Sequence, residues 1–247
     1  MNLQEFFYSH PKVALAFSGG VDSAYLLYAA KALGAEVKAY YVKSQFQPDF
    51  ELADALRLAA ELEAEIQVID CDILADSVIC GNPADRCYYC KNRIFSGILK
   101  AAEKDGYHVV MDGTNASDDA DSRPGMRALR EMKVLSPLRL CGITKSQVRA
   151  LSREAGLFTW DKPSYACLAT RVQTGEIITL EKLKAVERAE DSLSELGFRD
   201  FRVRIFYGAA RIQLPAEQME KALKLRREIM DRLRPYFDNI LLDLEER

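Results

Sequence analysis

The feature that most constrains this chain is a short polar loop, Phe17-Ser18-Gly19-Gly20-Val21-Asp22-Ser23, set between an apolar β-rich run and a helical pattern. Residues 12–17 read as a strand, and Tyr25, Leu26, Leu27, Ala30 and Leu33 follow at helical spacing before Gly34 stops them. A strand that turns at once into a helix gathers several backbone N–H groups and the positive end of the helix dipole at one point, where they hold an anion. The two glycines permit close backbone approach, Ser18 and Ser23 add hydroxyl donors, and Asp22 either orders the loop or helps to bind a magnesium ion. No lysine follows the glycines, which argues against the Gly-Lys-Ser/Thr loop of γ-phosphoryl transfer. The plainer alternative is a glycine-containing turn that merely closes the fold.

The same alternation continues along the chain. Residues 37–42, 66–70 and 108–111 read as further strands, and residues 51–63, 92–104 and 144–155 as helices, the last capped by Thr144. Such an order predicts an α/β fold with a Rossmann-like parallel sheet covered on both faces, whose ligands bind at the carboxyl ends of the strands. The loop Asp112-Gly113-Thr114-Asn115-Ala116-Ser117-Asp118 lies at one such end. Beyond residues 162–171 the pattern changes to a long helix over 180–196, two strands over 201–206 and 209–214 around a Tyr-Gly turn, a helix after Pro215 and a last strand near 240–244. The expected division is therefore a phosphate-loop domain over residues 1–168 and a smaller C-terminal α+β domain over 169–247.

With 247 residues, 49% of them hydrophobic, the chain has the material for one large core or one large and one small. Its formal net charge of -3 and the balance of acidic and basic side chains after Ala169 argue against a basic nucleic-acid-binding surface. The first residues lack the pattern of a secretory signal, and no apolar run approaches the roughly 20 residues that span a bilayer, so a cytoplasmic protein without membrane partners is expected. In that setting Cys71, Cys80, Cys87, Cys90, Cys141 and Cys167 read as thiols, not as a disulfide framework.

Cys87-Tyr88-Tyr89-Cys90 falls just before the helix predicted over 92–104, a position that favours reactive thiols. Cys167 lies in the loop Lys162-Pro163-Ser164-Tyr165-Ala166-Cys167-Leu168-Ala169-Thr170-Arg171, between two cations. Three such thiolates are able to hold a 4Fe-4S cluster with one iron open to an extra sulfide. For Cys87 and Cys90 a redox dithiol, a partial zinc site and half-buried thiols stay open, and for Cys167 a buried small apolar residue. Cys71, Cys80 and Cys141 have no supporting context.

The loop over residues 18–23 resembles the Ser-Gly-Gly-x-Asp-Ser signature of the PP-loop ATP-pyrophosphatases, which cleave ATP between the α and β phosphates. That resemblance implies that Ser18, Gly19, Gly20, Val21, Asp22 and Ser23 grip pyrophosphate. Together with Arg86-Cys87-Tyr88-Tyr89-Cys90-Lys91, residues 111–118, Arg123-Pro124-Gly125, Ser136-Pro137-Leu138 and residues 162–171, it is similar to the LarE family over nearly the whole chain. Members of that family transfer sulfur in the synthesis of the nickel-pincer nucleotide. The resemblance implies adenylation of the carboxylates of pyridinium-3,5-biscarboxylic acid mononucleotide by ATP with Mg2+, followed by replacement of AMP by sulfur. In one version of the family the cysteine at the Cys167 position attacks and gives up its own sulfur. In the other, three cysteines resembling Cys87, Cys90 and Cys167 bind a 4Fe-4S cluster that passes on a sulfide, and the presence of all three here favours that version. Lys91, Asp112, Gly113 and Thr114 are expected near ATP, and Arg123 at a phosphate. The resemblance also implies a small-molecule nucleotide substrate, a sulfide or cysteine-derived sulfur donor, and a homo-oligomer.

Arg202 and Arg204, at alternate positions on one strand, share a face and suit a substrate phosphate, or else form a solvated strand face. Glu190 is a further candidate, or a helix-surface carboxylate, and Gln213 stands where the family leads one to expect an acid. The rival functions are a tRNA thiolase of the same superfamily, disfavoured by the missing RNA-binding extension, an ammonia-using ATP-pyrophosphatase, which has no need of Cys167, and a noncatalytic nucleotide- or zinc-binding module.

Overall fold

Strand β1 (Lys12–Ala16) is apolar on both faces, and the structure uses both. In the computed structural model, which describes residues 1–118 and 124–246, Val13 and Leu15 point into one buried cluster and Ala14 into another. Strand β2 (Glu36–Lys43) repeats the division, with Ala39 and Tyr41 on the first side and Tyr40 and Val42 on the second. Period-two alternation between two hydrophobic layers is what a doubly covered parallel sheet requires. With β3 (Glu65–Asp70) and β4 (Val110–Met111) the sheet has the order β3-β2-β1-β4, and all three pairings are parallel. Helices Val21–Ala32, Asp49–Glu61 and Lys145–Glu154 supply Leu26, Leu58 and Val148 to the first cluster, while helices Arg86–Lys104 and Pro124–Glu131 supply Phe95 and Leu129 to the second.

The α/β, Rossmann-like expectation therefore holds. Because β2 and β3 lie to one side of β1 and β4 to the other, the chain reverses its winding between β1 and β4, where such sheets place their ligands. Residue 135, missed in the sequence, extends this region: Leu135 bridges Met111, donates to the Val110 carbonyl at 2.9 Å and accepts from the Asp112 amide at 2.9 Å.

One expected boundary is corrected. The cysteine-bearing helix begins at Arg86 rather than residue 92, so Cys87 and Cys90 lie inside it. The Asn92 side-chain amide donates back to the Tyr88 carbonyl at 3.0 Å in an interior helical turn. The Tyr88 hydroxyl donates to Glu131 at 2.7 Å, and the Arg127 guanidinium stacks 3.8 Å from the Tyr88 ring, so contacts distant in sequence hold the first turn.

The chain divides into two compact units, Met1–Ile73 with Asp85–Pro163, and Leu74–Ala84 with Ser164–Arg247. The second unit thus begins a few residues before the expected boundary and takes a short early segment from between β3 and the cysteine helix. Within it, β5 (Arg202–Phe206) pairs antiparallel with β6 (Ala209–Gln213), which pairs parallel with β7 (Ile240–Leu242). Helix Leu180–Glu195 buries Leu183, Val186, Ala189, Glu190 and Leu193, a stripe at helical spacing that includes one carboxylate. The early segment is tied in by Asn82, whose side-chain amide donates to the carbonyls of Val172 at 3.2 Å and Gln173 at 2.8 Å and whose carbonyl accepts from Gly175 at 2.8 Å. Asn82 has φ 51°, a left-handed conformation that asparagine tolerates better than most residues. Among the described residues no helix is long and apolar enough to cross a membrane.

Replacing Asn82 by Ala removes one buried and one part-buried hydrogen bond and leaves both carbonyls without that donor. The expected loss is about 1–3 kcal/mol of stability in the second unit, read from the urea midpoint followed by far-UV circular dichroism.

Candidate active site

The phosphate loop starts where β1 ends. The Phe17 amide still bonds the Tyr40 carbonyl at 2.9 Å, after which the chain leaves the sheet. Gly19 takes φ +71°, and a Cβ there would stand 3.1 Å from the Ala55 side chain, so both backbone conformation and space demand glycine. The serines brace the turn: the Ser23 hydroxyl accepts from the Ser18 amide at 3.3 Å and donates to the Gly20 carbonyl at 3.2 Å, and the two hydroxyl oxygens lie 3.1 Å apart. Gly20 is the N-cap of helix Val21–Ala32 and no side chain caps that helix, which leaves its first amides to a ligand.

The loop after β4 meets this helix start. A Cβ on Gly113 would fall 2.8 Å from the Ser23 nitrogen, so backbone packs directly on backbone. Buried Asp112 holds its own loop, accepting from the Thr114 amide at 3.2 Å, the Thr114 hydroxyl at 2.5 Å and the Ser136 hydroxyl at 2.6 Å. All of these bonds reach neighbouring protein groups, so Asp112 shapes the loop. Buried Asn115 reaches across to donate to Asp22 at 3.1 Å, and Lys145, at the start of helix Lys145–Glu154, pairs with the other Asp22 oxygen at 2.5 Å. Asp22 thus places a carboxylate beside the uncapped amides. Its hard oxygens are of the kind that magnesium takes. Lys145 carries no motif in the sequence, and only the fold brings it to the loop.

Lys91 lies beside Gly125, whose added Cβ would stand 3.3 Å from the Lys91 side chain, and its ammonium sits 4.9 Å from the centre of the Phe95 ring. Arg123 lies outside the described residues. One helical turn separates exposed Cys87 from Cys90, which is 7% exposed and accepts a hydrogen bond from the buried Arg86 guanidinium at 3.6 Å.

In the second unit, charge is buried around the third cysteine. Arg171 is 1% exposed and Glu190 5%; they pair through Nε at 2.8 Å and Nη2 at 3.1 Å. Glu190 also accepts from the Val203 amide at 2.9 Å and from the Tyr165 hydroxyl. It is therefore not a helix-surface carboxylate. Burial opposes the Arg171 charge, but the hydrogen bond and charge of Glu190 outweigh it and raise the pKa above the usual arginine value. Burial, with Glu190 beside it, likewise pushes the Tyr165 hydroxyl up.

The same cations grip the backbone of the cysteine loop. Arg171 donates to the Ala166 carbonyl at 2.9 Å, Arg202 to the Ser164 carbonyl, and Arg204 to the Thr170 carbonyl. The Thr170 amide and hydroxyl bond the Cys167 carbonyl at 2.9 and 2.8 Å, which opens the short helical turn Leu168–Arg171. Arg202 and Arg204 do share a face, but that face is no solvated surface: Arg202 is buried and both guanidinium groups are anchored in the loop. Gln213, where an acid is expected, accepts from Arg204 at 2.6 Å and donates to Asp243 at 2.9 Å.

The cysteines offer the soft thiolate chemistry of an iron-sulfur cluster. Among the described residues, however, no group of three or more His, Cys, Asp or Glu side chains is gathered so as to hold a metal ion.

A family profile described as queuosine biosynthesis protein QueC matches residues 12–82, the stretch that contains the phosphate loop. A pyridinium-3,5-bisthiocarboxylic acid mononucleotide synthase of Lactiplantibacillus plantarum is 35% identical over 236 residues, covering 94% of this chain and 86% of its own. The chain belongs to the LarE family. An uncharacterized Synechocystis protein is 38% identical over 89% of this chain and 82% of its own. A tRNA-specific 2-thiouridylase, MnmA of Thermotoga sp., is more distant, at 26% identity over 59% of this chain and 52% of its own. As a LarE-family member the protein is a sulfur-transferring enzyme of the PP-loop ATP-pyrophosphatase family.

Two substitutions probe this construction. Gly113→Ala forces a methyl group against the Ser23 backbone and is expected to cost about 1–3 kcal/mol through overpacking, seen as a lower thermal midpoint. Glu190→Ala leaves Arg171 buried and unpaired, and a loss of about 3–5 kcal/mol is expected; an unchanged denaturation midpoint would count against the buried pair as the anchor of the cysteine loop.

Proposed function

We propose that this enzyme uses ATP with Mg2+ to adenylate the carboxylates of pyridinium-3,5-biscarboxylic acid mononucleotide and converts them to thiocarboxylates for nickel-pincer nucleotide synthesis. The observation that carries this reading is the phosphate loop, whose uncapped helix start and adjoining Asp22 carboxylate stand at the sheet's switch point in a chain of this family. The loop amides and the hydroxyls of Ser18 and Ser23 bind the β and γ phosphates, and Asp22 is the residue that would hold magnesium. A substrate carboxylate oxygen attacks the α-phosphorus, the bond from that phosphorus to the bridging oxygen breaks, and the electron pair leaves with pyrophosphate. A carboxylate is a poor acyl donor until it carries this leaving group. A sulfur nucleophile then adds to the activated carbonyl and AMP departs. Lys91, the loop of Asp112, Gly113 and Thr114, and Arg123 serve the nucleotide, while Arg202 and Arg204, with Glu190 holding the strand at Val203 between them, serve the substrate phosphate.

The sulfur is assigned to the three cysteines. A 4Fe-4S cluster on Cys87, Cys90 and Cys167 would present a sulfide on its open iron and regenerate from an external sulfide or cysteine-derived donor. A second reading rests on Cys167 alone, in the loop that Arg171 holds at the Ala166 carbonyl. In it the Cys167 thiolate displaces AMP to give a thioester, a base removes the cysteine α-proton, and the C–S bond breaks. The thiocarboxylate carries the electron pair away and dehydroalanine remains. The distant thiouridylase likeness keeps tRNA thiolation as a control reaction.

The test is anaerobic reconstitution with iron and sulfide, followed by absorption and EPR spectra and by counting thiocarboxylates formed per protein with ATP. A cluster lost in each of Cys87→Ala, Cys90→Ala and Cys167→Ala, with many turnovers, is the expected result. One sulfur transferred per chain, with Cys167 lighter by the mass of hydrogen sulfide, would establish the sacrificial reading. Failure to release pyrophosphate with this substrate would overturn both.

A further inference from the structure

The phosphate loop lacks the lysine that nucleoside triphosphate loops usually carry, yet a lysine stands beside it. Lys162, 143 residues beyond Gly19, places its ammonium 3.5 Å from the Gly19 carbonyl and 2.6 Å from Asp54 Oδ2. Its aliphatic stem is not loose: the side chain is 15% exposed and the ammonium lies 5.5 Å from the centre of the Phe50 ring. The backbone is fixed as well, since the Lys162 amide donates to the Thr159 carbonyl at 3.1 Å. The Arg149 guanidinium donates to the carbonyls of Trp160 at 2.7 Å and Lys162 at 2.8 Å. A surface lysine needs no such support.

An ammonium has three N–H donors. Among the described residues Asp54 and Gly19 accept two of them, and the third is left to a further acceptor such as a phosphate oxygen. Asp54 belongs to helix Asp49–Glu61, the element whose Ala55 also packs against Gly19, so the carboxylate that fixes the ammonium and the wall of the glycine turn are one rigid piece.

We infer that Lys162 is a phosphate-binding residue of this loop, acting on the pyrophosphate portion of ATP, with Asp54 as its positioning residue. The inference rests on the reading of the loop as an ATP site. Lys162 replaces in space what the loop lacks in sequence. In the bound nucleotide it donates to a β- or γ-phosphate oxygen, and as the α-phosphorus bond breaks it stabilises the charge that accumulates on the departing pyrophosphate. AMP, which has neither of those phosphates, gains nothing from it.

Calorimetric titration of the full chain with ATP, inorganic pyrophosphate and AMP, each with Mg2+, tests this on wild type, Lys162→Ala, Lys162→Arg and Asp54→Asn. One lost charge-assisted hydrogen bond corresponds to about ten- to a hundredfold in affinity. Lys162→Ala is expected to lose that much for ATP and pyrophosphate while AMP binding stays within about twofold, and Lys162→Arg is expected to recover part of the loss. Asp54→Asn should show a smaller loss with the same ATP-over-AMP pattern. Equal weakening of ATP and AMP in Lys162→Ala would reduce Lys162 to a structural part and overturn the inference, as would ATP binding that is unchanged. Wild type that binds none of the three ligands would overturn the ATP reading itself, a result separate from either. Thermal melts identify any variant that has failed to fold, in which case Lys162→Gln, of similar length and without charge, takes the place of Lys162→Ala.

Discussion

Backbone lying directly on backbone at the switch point between β1 and β4 is the constraint on which the phosphate-loop unit depends. Gly113 packs against the Ser23 nitrogen with no room for a methyl group, and Gly19 turns under Ala55 with almost none. Such closeness concentrates amide dipoles but leaves no place in the loop for a long cationic side chain. Charge has to arrive from elsewhere in the fold, and it does so on Lys145, which meets Asp22, and Lys162, which meets Asp54. The two pairs bracket the loop, each with an acid that sets the position of its lysine.

The second unit solves the opposite problem. Its critical loop is held from within by ionised groups removed from water, an arrangement that carries a large desolvation cost and is tolerable only when nearly every polar atom finds a partner. Glu190 meets that condition with acceptor bonds from Arg171, Tyr165 and Val203, and Arg171 meets it with Glu190 and the Ala166 and Thr170 oxygens. A buried network of this type favours one geometry over all neighbouring ones, and it fixes the backbone on either side of Cys167.

The parts of this picture legible in the sequence are those written in local patterns. The alternation of strand and helix patterns announced the parallel sheet, Thr144 the cap of a helix, and the paired glycines the phosphate turn. The start of the cysteine helix was hidden because Arg86-Cys87-Tyr88-Tyr89-Cys90 has weak local helix preference and is held by Glu131 and Arg127 from another helix. Lys145, Lys162 and Asp54 were hidden for a related reason: each is an ordinary charged residue until the fold carries it across the chain to a partner. Glu190 showed its chemistry but not its burial, since one carboxylate in an apolar stripe is a weak departure from helical pattern.

The short segment Leu74–Ala84 makes the second unit discontinuous along the chain. Asn82 fastens that segment to the backbone just after the cysteine loop, so the early stretch and the late one share a single set of hydrogen bonds. The two units are therefore not beads that can be cut apart or exchanged at one linker. A recombination event that swapped everything after Pro163 for a foreign module would carry off the Val172 and Gln173 carbonyls to which the Asn82 side chain donates.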